Sequence, residues 1–328
     1  MPKVLEIKDL YVQYSTDESE VHALNGFTLD LEKGETLGLV GETGAGKTTM
    51  ALSILRLLPE SVGKITSGSI YYNDMDVLSM SRRQIRSIRG AEVSMIFQDP
   101  MTSLNPVTPV GRQVRELLDL HYPDLSKSAK EQKVDEILTL VGIQPERKGE
   151  FPHQFSGGMK QRIIIAMALI SEPKLLLADE PTTALDVTIQ AQILVLMKDL
   201  KQQFDTAMIF ITHDLGIVAE FCDNVAVVYA GEVIERGTIE QVFARQANHP
   251  YTKALFECIP DLTSTATRLP SFEGVMIDPT NLPKGCKYAA RCPNSSDLCL
   301  RENPVLCELG DGHSIKCHLF PVKEEDAT

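Results

Sequence analysis

The stretch GETGAGKT, Gly41–Thr48, decides the fold. Gly41, Gly44 and Gly46 let the backbone turn tightly enough for its N–H groups to point at phosphate oxygens. Lys47 offers a point charge to the β and γ phosphates of a nucleoside triphosphate, and Thr48 offers a hydroxyl to Mg²⁺. The run FTLDLEKGETLGLV ahead of the loop reads as a strand, and TTMALSILRLL behind it reads as a helix. That strand–loop–helix context is what a phosphate loop requires. The helix adds the positive end of its dipole.

Two further stretches extend the chemistry. LLLADEP, Leu175–Pro181, puts Asp179 at the end of an apolar strand, where it can reach Mg²⁺. Glu180 follows directly, and a carboxylate there can orient or deprotonate an attacking water. A lone Asp-Glu pair at a strand end is commonly just solvated; beside a phosphate loop it reads as chemistry. FSGGMKQR, Phe155–Arg162, places Ser156, Gly157 and Gly158 before a long helical run and forms a second anion site. A serine N-cap followed by flexible glycines is the plain alternative. One triphosphate does not need both anion sites from a single chain, so a partner protein is expected to complete the site.

Working outward, VLEIKDLYVQY reads as another early strand, set off by the polar STDESE. SGSIYY and AEVSMIF are short strands around a basic stretch, SRRQIRSIRG. Residues 110–145 are helical in pattern. KLLLAD, QAQILVLMKDLKQQF and AMIFIT form a βαβ unit with buried parallel strands. VAVVYAGEVIERG reads as a hairpin. Gln98 follows the strand VSMIF and His213 follows AMIFIT; both strand ends can point into the crevice of an open α/β sheet. After Pro250, proline, glycine and cysteine become frequent and periodicity weakens, which places a boundary near residue 260. VKEEDAT at the end reads as a tail.

The chain has 328 residues, more than a single core of ~250–300 residues usually holds, so a large domain plus an appendage is expected. No run of 18 or more apolar residues occurs, and MPKVLEIKDL lacks the apolar core of a signal peptide, so a cytosolic chain is expected. A net charge of −13 argues against a broad nucleic-acid footprint.

The order of the phosphate loop, Gln98, SGG, Asp179-Glu180, Asp186 and His213 resembles an ABC-transporter ATP-binding subunit over roughly residues 4–260. The resemblance implies an α/β P-loop NTPase (RecA-like) core with an antiparallel β subdomain and a helical subdomain at about 99–165. It implies ATP and Mg²⁺ as ligands. Glu180 would act as base with His213 and Gln98 as helpers, and Thr48, Gln98 and Asp179 would sit around Mg²⁺. Glu42, Thr43, Ala45 and Thr49 would complete the nucleotide-binding set. Tyr14 resembles the aromatic that stacks on adenine, with Tyr11 as the alternative. Two cassettes would meet head to tail, Ser156 and Gly158 of one facing the γ-phosphate held by the other's Lys47, with Asp186 coupling the two sites. FSGGM stands where the wider family has LSGGQ. Together with QDPMTSLNP (Gln98–Pro106), HPYTKAL (His249–Leu255) and GCKYAARCP (Gly285–Pro293), it resembles the branch importing di- and oligopeptides, which nickel and glutathione importers share. That branch implies two membrane-spanning permease subunits, a second ATP-binding subunit (a paralogue or another copy) and an extracytoplasmic solute-binding protein. It places the chain on the cytoplasmic face of the membrane.

Five of the seven cysteines fall between 286 and 317. Cys286, Cys292, Cys299 and Cys317 are spaced C-x5-C-x6-C-x17-C, with Cys307 a fifth. Four thiolates suit tetrahedral zinc or an iron–sulfur cluster. No CxxC pair occurs, and the spacing resembles peptide importers that carry a four-iron cluster, with Cys307 the odd one out. A metal would staple a short, loop-rich extension at 261–328. His313 and His318, beside Cys317, read as exposed polar residues.

Overall fold

Three short runs, TLGLV, LLLAD and AMIFI, are buried at every position. Such runs suit strands covered on both faces, as in parallel sheets. The computed structural model of the chain describes residues 2–16, 19–98, 100–183, 185–259 and 274–320. In chain order its elements are β1 (Lys3–Ser15), β2 (Glu20–Glu32), β3 (Thr36–Val40), α1 (Lys47–Ile54), β4 (Gly63–Tyr72), β5 (Met75–Asp76), α2 (Arg82–Ile88), β6 (Val93–Ile96), α3 (Pro100–Ser103), α4 (Val110–His121), α5 (Lys127–Leu140) and α6 (Gly157–Leu169). They continue with β7 (Leu175–Asp179), α7 (Val187–Phe204), β8 (Ala207–Ile211), α8 (Leu215–Phe221), β9 (Asn224–Tyr229), β10 (Glu232–Thr238), α9 (Ile239–Phe243), α10 (Pro250–Glu257), α11 (Asp297–Arg301), β11 (Leu306–Gly310) and β12 (His313–Lys316). Among the described residues no helix is long and apolar enough to cross a membrane.

The chain divides into two compact units. The first comprises Met1–Leu5, Leu31–Thr36 and Tyr72–Ile211. Its strands β6, β7 and β8 pair in parallel, with β7 in the middle. Ile163, Ile165 and Ala166 of α6 and Ile193, Met197 and Leu200 of α7 are buried with them. Helices α3 to α6 fill most of the stretch expected to be helical; its first residue, Asp99, lies outside the described residues. SRRQIRSIRG is helical rather than merely basic. Ser81 caps α2 by accepting from the Gln84 N–H (3.4 Å), while the Ser81 N–H donates to Gln84 Oε1 (2.9 Å). This reciprocal pair is a capping box. FTLDLEKGETLGLV is two strands, not one. The chain turns at Lys33-Gly34, where Gly34 takes a φ of 71°, and the Glu32 N–H donates to Glu35 Oε2 at 2.7 Å.

The second unit comprises Glu6–Asp30, Leu37–Tyr71 and Thr212–Thr328. Here β1 lies between β2 and β4 in one sheet. In the other, β3 runs parallel to β9, β9 and β10 form the expected hairpin, β12 adds antiparallel to β10, and β11 to β12. The cysteine-bearing stretch therefore contributes strands to the sheet that carries the phosphate loop. The boundary expected at 260/261 and the tail at 322–328 lie outside the described residues.

Two acidic residues of β10 root this stretch. Glu232 meets Lys287, Asn303 Nδ2 (3.0 Å) and Lys316 (3.1 Å). Glu235 is 0% exposed and accepts from Asn248 Nδ2 (2.6 Å) and the His249 N–H (2.8 Å), with His313 Nε2 at 3.1 Å. His313 is therefore buried, contrary to the expectation from sequence, because a carboxylate from β10 supplies its partner. His318 is half-buried, its Nε2 3.0 Å from the Glu302 carbonyl oxygen.

Replacing Glu235 with Ala strips the His249 N–H and one of the two Asn248 amide hydrogens of a buried acceptor, while the Asn248 bond to the Val242 carbonyl remains. Urea denaturation should show a loss of about 2–6 kcal/mol, since each of the two orphaned interior donors costs about 1–3 kcal/mol.

Candidate functional site

The glycines of Gly41–Thr48 are required by what lies beside them. A Cβ on Gly46, whose φ is 101°, would stand 2.5 Å from the Ala23 carbonyl oxygen; one on Gly41 would stand 2.2 Å from that of Val228. Lys47 is buried, and its Nζ donates to the carbonyls of Gly41 (2.7 Å) and Glu42 (3.0 Å). The Glu42 N–H donates to Tyr251 Oη at 2.9 Å. Thr43, Gly44 and Thr48 are exposed, while Ala45 is buried. Thr49 on α1 has its Oγ1 3.2 Å from Tyr14 Oη. Tyr14 thus reaches the helix behind the loop, whereas the Tyr11 hydroxyl lies against Gly26.

Below the loop, Tyr229, Tyr251 and Tyr288 form a cluster with ring centroids 4.7, 5.2 and 5.4 Å apart. Each such pair adds about 0.5–1.5 kcal/mol beyond burial. His249, in the HPYTKAL stretch, is buried; its Nδ1 accepts from the Tyr251 N–H (3.0 Å), and burial pushes its pKa down to about 3. It stays neutral and orients α10.

In the first unit, Asp179 ends β7 and is 2% exposed. Glu180 follows in the left-handed region, φ 48°, with its N–H donating to the Ile211 carbonyl at 2.9 Å. A non-glycine residue there stores of order 1–3 kcal/mol of strain, a pattern that clusters at functional sites. Glu180 Oε2 accepts from Gln98 Nε2 (3.1 Å) and from Thr183 Oγ1 (3.0 Å). Gln98 and Glu180, 82 residues apart in sequence, therefore share one spot. Sequence reasoning passed over Gln161, although it lies inside FSGGMKQR. Its Nε2 donates to the Pro181 carbonyl at 2.5 Å and holds the turn after Glu180. His213 belongs to the second unit and is exposed, just before Asp214, which caps α8.

Ser156 and Asp186 are helix caps within the chain. Ser156 Oγ accepts from the Met159 N–H (3.4 Å) at the start of α6, and Asp186 Oδ1 from the Ile189 N–H (2.9 Å) at the start of α7. Gly157 is exposed. A Cβ on Gly158 would meet Ile189 Cγ2 at 2.7 Å, so this glycine lets α6 approach α7.

Burial pushes the Cys286 thiol up to about 11, and it also feels Cys299, Cys317 and Cys292. Burial raises Cys292, which feels Cys299, and Cys317, which feels Cys292 and Cys299. The Cys286 N–H donates to the Cys299 carbonyl at 2.8 Å. Cys307 is 2% exposed in β11, opposite Ile315. Among the described residues no group of three or more His, Cys, Asp or Glu side chains is placed to hold a metal ion. The staple expected of a metal is also partly supplied by Glu232, Glu235 and the pairing of β12 with β10.

Residues 24–183 match the family described as "ABC transporter", and residues 234–299 match "Oligopeptide/dipeptide transporter, C-terminal region". The chain is 48% identical to the dipeptide transport ATP-binding protein DppD of Bacillus subtilis, covering 100% of this chain and 98% of that one. It is 45% identical to the oligopeptide transport ATP-binding protein OppD of Salmonella typhimurium, covering 92% and 90%. Among solved structures it resembles the ATP-binding cassette MJ0796 bound to ADP and Pi, with TM-score 0.64 and 27% identity over 72% of this chain and 98% of that one. It also resembles cbiO1 from Clostridium perfringens, part of the ABC transporter complex cbiONQ, with TM-score 0.64 and 30% identity over 75% and 92%.

Replacing Gly46 with Ala forces a Cβ into the Ala23 carbonyl at a left-handed φ. Calorimetric titration with Mg-ATP should show binding lost by at least about tenfold, while thermal unfolding records a drop of about 1–3 kcal/mol.

Proposed function

This chain belongs to the ATP-binding subunits of ABC-type dipeptide and oligopeptide transporters, and from that premise we propose that Glu180 is the base of an ATP hydrolysis that powers peptide import. The observation that carries the assignment is the convergence of Gln98 and Thr183 on the Glu180 carboxylate. In the proposed mechanism a water attacks the γ-phosphorus in line, Glu180 takes its proton, and the bond from the γ-phosphorus to the β–γ bridging oxygen breaks, so that ADP and inorganic phosphate leave. Gln98 and His213 position the water and the phosphate. Gly41–Thr49 cradles the phosphates, and Lys47 exchanges its bonds to the Gly41 and Glu42 carbonyls for the β and γ phosphates. Tyr14 stacks on adenine. Thr48, Gln98 and Asp179 supply hard oxygen donors of the kind Mg²⁺ takes. When bound, the ion offsets charge on the phosphate oxygens.

The second half of the site would come from another cassette, a paralogue or another copy. Its Ser156, Gly157 and Gly158 would present the N-terminus of α6 to the γ-phosphate, and Asp186 would couple the paired sites. Two permease subunits and an extracytoplasmic solute-binding protein would complete the importer, with this chain on the cytoplasmic face. Gln98–Pro109 would pass the motion on. In support, Gln113 pins that segment through the Asn105 N–H (2.8 Å) and the Thr108 carbonyl (2.7 Å), beside a cavity of about 460 Å³ lined by Ser103, Arg112 and Met167. Nickel chelates and glutathione are the alternative cargoes in the same family.

We further propose that Cys286, Cys292, Cys299 and Cys317 hold a [4Fe–4S] cluster as a structural staple, with zinc as the alternative. The donor set, four thiols within electrostatic reach of one another, supports this reading. Either group would be held by these four cysteines as thiolates and would tie the extension together.

Glu180→Gln should retain Mg-ATP binding and lose hydrolysis by about 100-fold or more; wild-type turnover would refute the base assignment. Protein purified without oxygen should be brown and carry about four irons and four sulfides per chain. Colourless protein with stoichiometric zinc would sink the cluster.

A further inference from the structure

Glu42 is an odd residue for a loop that receives phosphates, because its carboxylate opposes their charge. It lies in the stretch where the backbone must face the ligand. All three of its polar groups are engaged. The N–H donates to Tyr251 Oη (2.9 Å), the carbonyl accepts from Lys47 Nζ (3.0 Å), and the carboxylate is gripped by Arg291. Arg291 Nη1 and Nη2 each stand 2.8 Å from one carboxylate oxygen, a bidentate fork. The Arg291 side chain is only 5% exposed and that of Glu42 17%. The guanidinium also lies 5.9 Å from the ring centroids of both Tyr229 and Tyr288, with the Tyr229 hydroxyl at 3.5 Å.

The origin of this arginine matters. It closes the short 3-10 turn Ala289–Arg291 of the C-terminal stretch, between Cys286 and Cys292. The Ala289 N–H donates to the Cys286 carbonyl (3.1 Å) and the Arg291 N–H to that of Tyr288 (3.0 Å). Met276, Ile277, Pro279 and Leu282 of the same stretch line a 90 Å³ cavity with residues 42–45 of the loop. Both partners of the ion pair belong to one compact unit.

We propose that Arg291 is a positioning residue for ATP: it neutralises the Glu42 carboxylate, turns it away from the phosphates, and makes nucleotide affinity depend on the C-terminal extension. The proposal rests on the reading that Gly41–Thr48 holds the triphosphate. A lysine cannot reproduce the fork, since its ammonium is a point charge. Without the arginine, an uncompensated carboxylate beside the phosphates opposes binding in the ground state and leaves Glu180 and Gln98 intact.

The test is Mg-AMPPNP titration of the full chain, with ATPase kinetics of the assembled transporter. Arg291→Ala should raise the Kd about tenfold, the scale of one unit charge near another at partial screening. The KM for ATP should rise with it, and kcat should stay within about twofold. Arg291→Lys should fall between. Adding Glu42→Gln to either variant should recover most of the affinity, because the repelling charge is gone. Wild-type affinity in Arg291→Ala would overturn the proposal. So would a defect that Glu42→Gln leaves unchanged, since that marks a structural role independent of the charge. If Arg291→Ala does not fold, the pair Arg291→Lys and Arg291→Lys/Glu42→Gln decides the matter by the same rescue. Failure of the wild type to bind Mg-AMPPNP would instead sink the reading of the loop itself.

Discussion

A loop that binds phosphates through its own N–H groups cannot use those groups, or bulky side chains, to hold itself in shape. Its form has to be imposed from outside. Gly46 presses on the Ala23 carbonyl and Gly41 on that of Val228, so two neighbouring segments act as walls. Tyr251 takes the one N–H that Glu42 turns inward, and Arg291 takes its carboxylate. Lys47 closes the loop on itself through two carbonyls. The tyrosine cluster, the HPYTKAL helix and the turn that carries Arg291 are all consequences of this need for an external mould.

The proposed hydrolytic half solves a different problem. A carboxylate proposed as general base needs a fixed direction and a free lone pair. A left-handed backbone at Glu180 sets the direction, and its cost is met by the N–H bond to Ile211 and by Gln161 bracing the next carbonyl. Gln98 and Thr183 then hold one carboxylate oxygen. Strand ends supply the precision: Gln98 follows β6 and Glu180 follows β7.

What could be read from the sequence was whatever has a local or periodic signature. The phosphate loop, the apolar runs of β7 and β8, the βαβ unit and the β9–β10 hairpin follow from residue order alone. The capping box at Ser81 and Gln84 and the Lys33-Gly34 turn were equally local, yet were masked by a basic composition and by a continuous apolar pattern. His313 was misread because its partner, Glu235, lies 78 residues away, and no periodicity joins the two. The fork between Glu42 and Arg291 spans 249 residues and is invisible for the same reason. The four thiols were legible as a group through composition.

Glu232 and Glu235 stand on β10, within the cassette, and besides Asn248 and His249 they meet Lys287, Asn303, His313 and Lys316 of the cysteine-bearing stretch. That stretch cannot be treated as a module sewn on by a linker. A chimera that borrows it from a relative would import cations with no carboxylates waiting for them, unless β10 travels too. Any graft between members of the family has its natural seam before Glu232, well upstream of where composition changes.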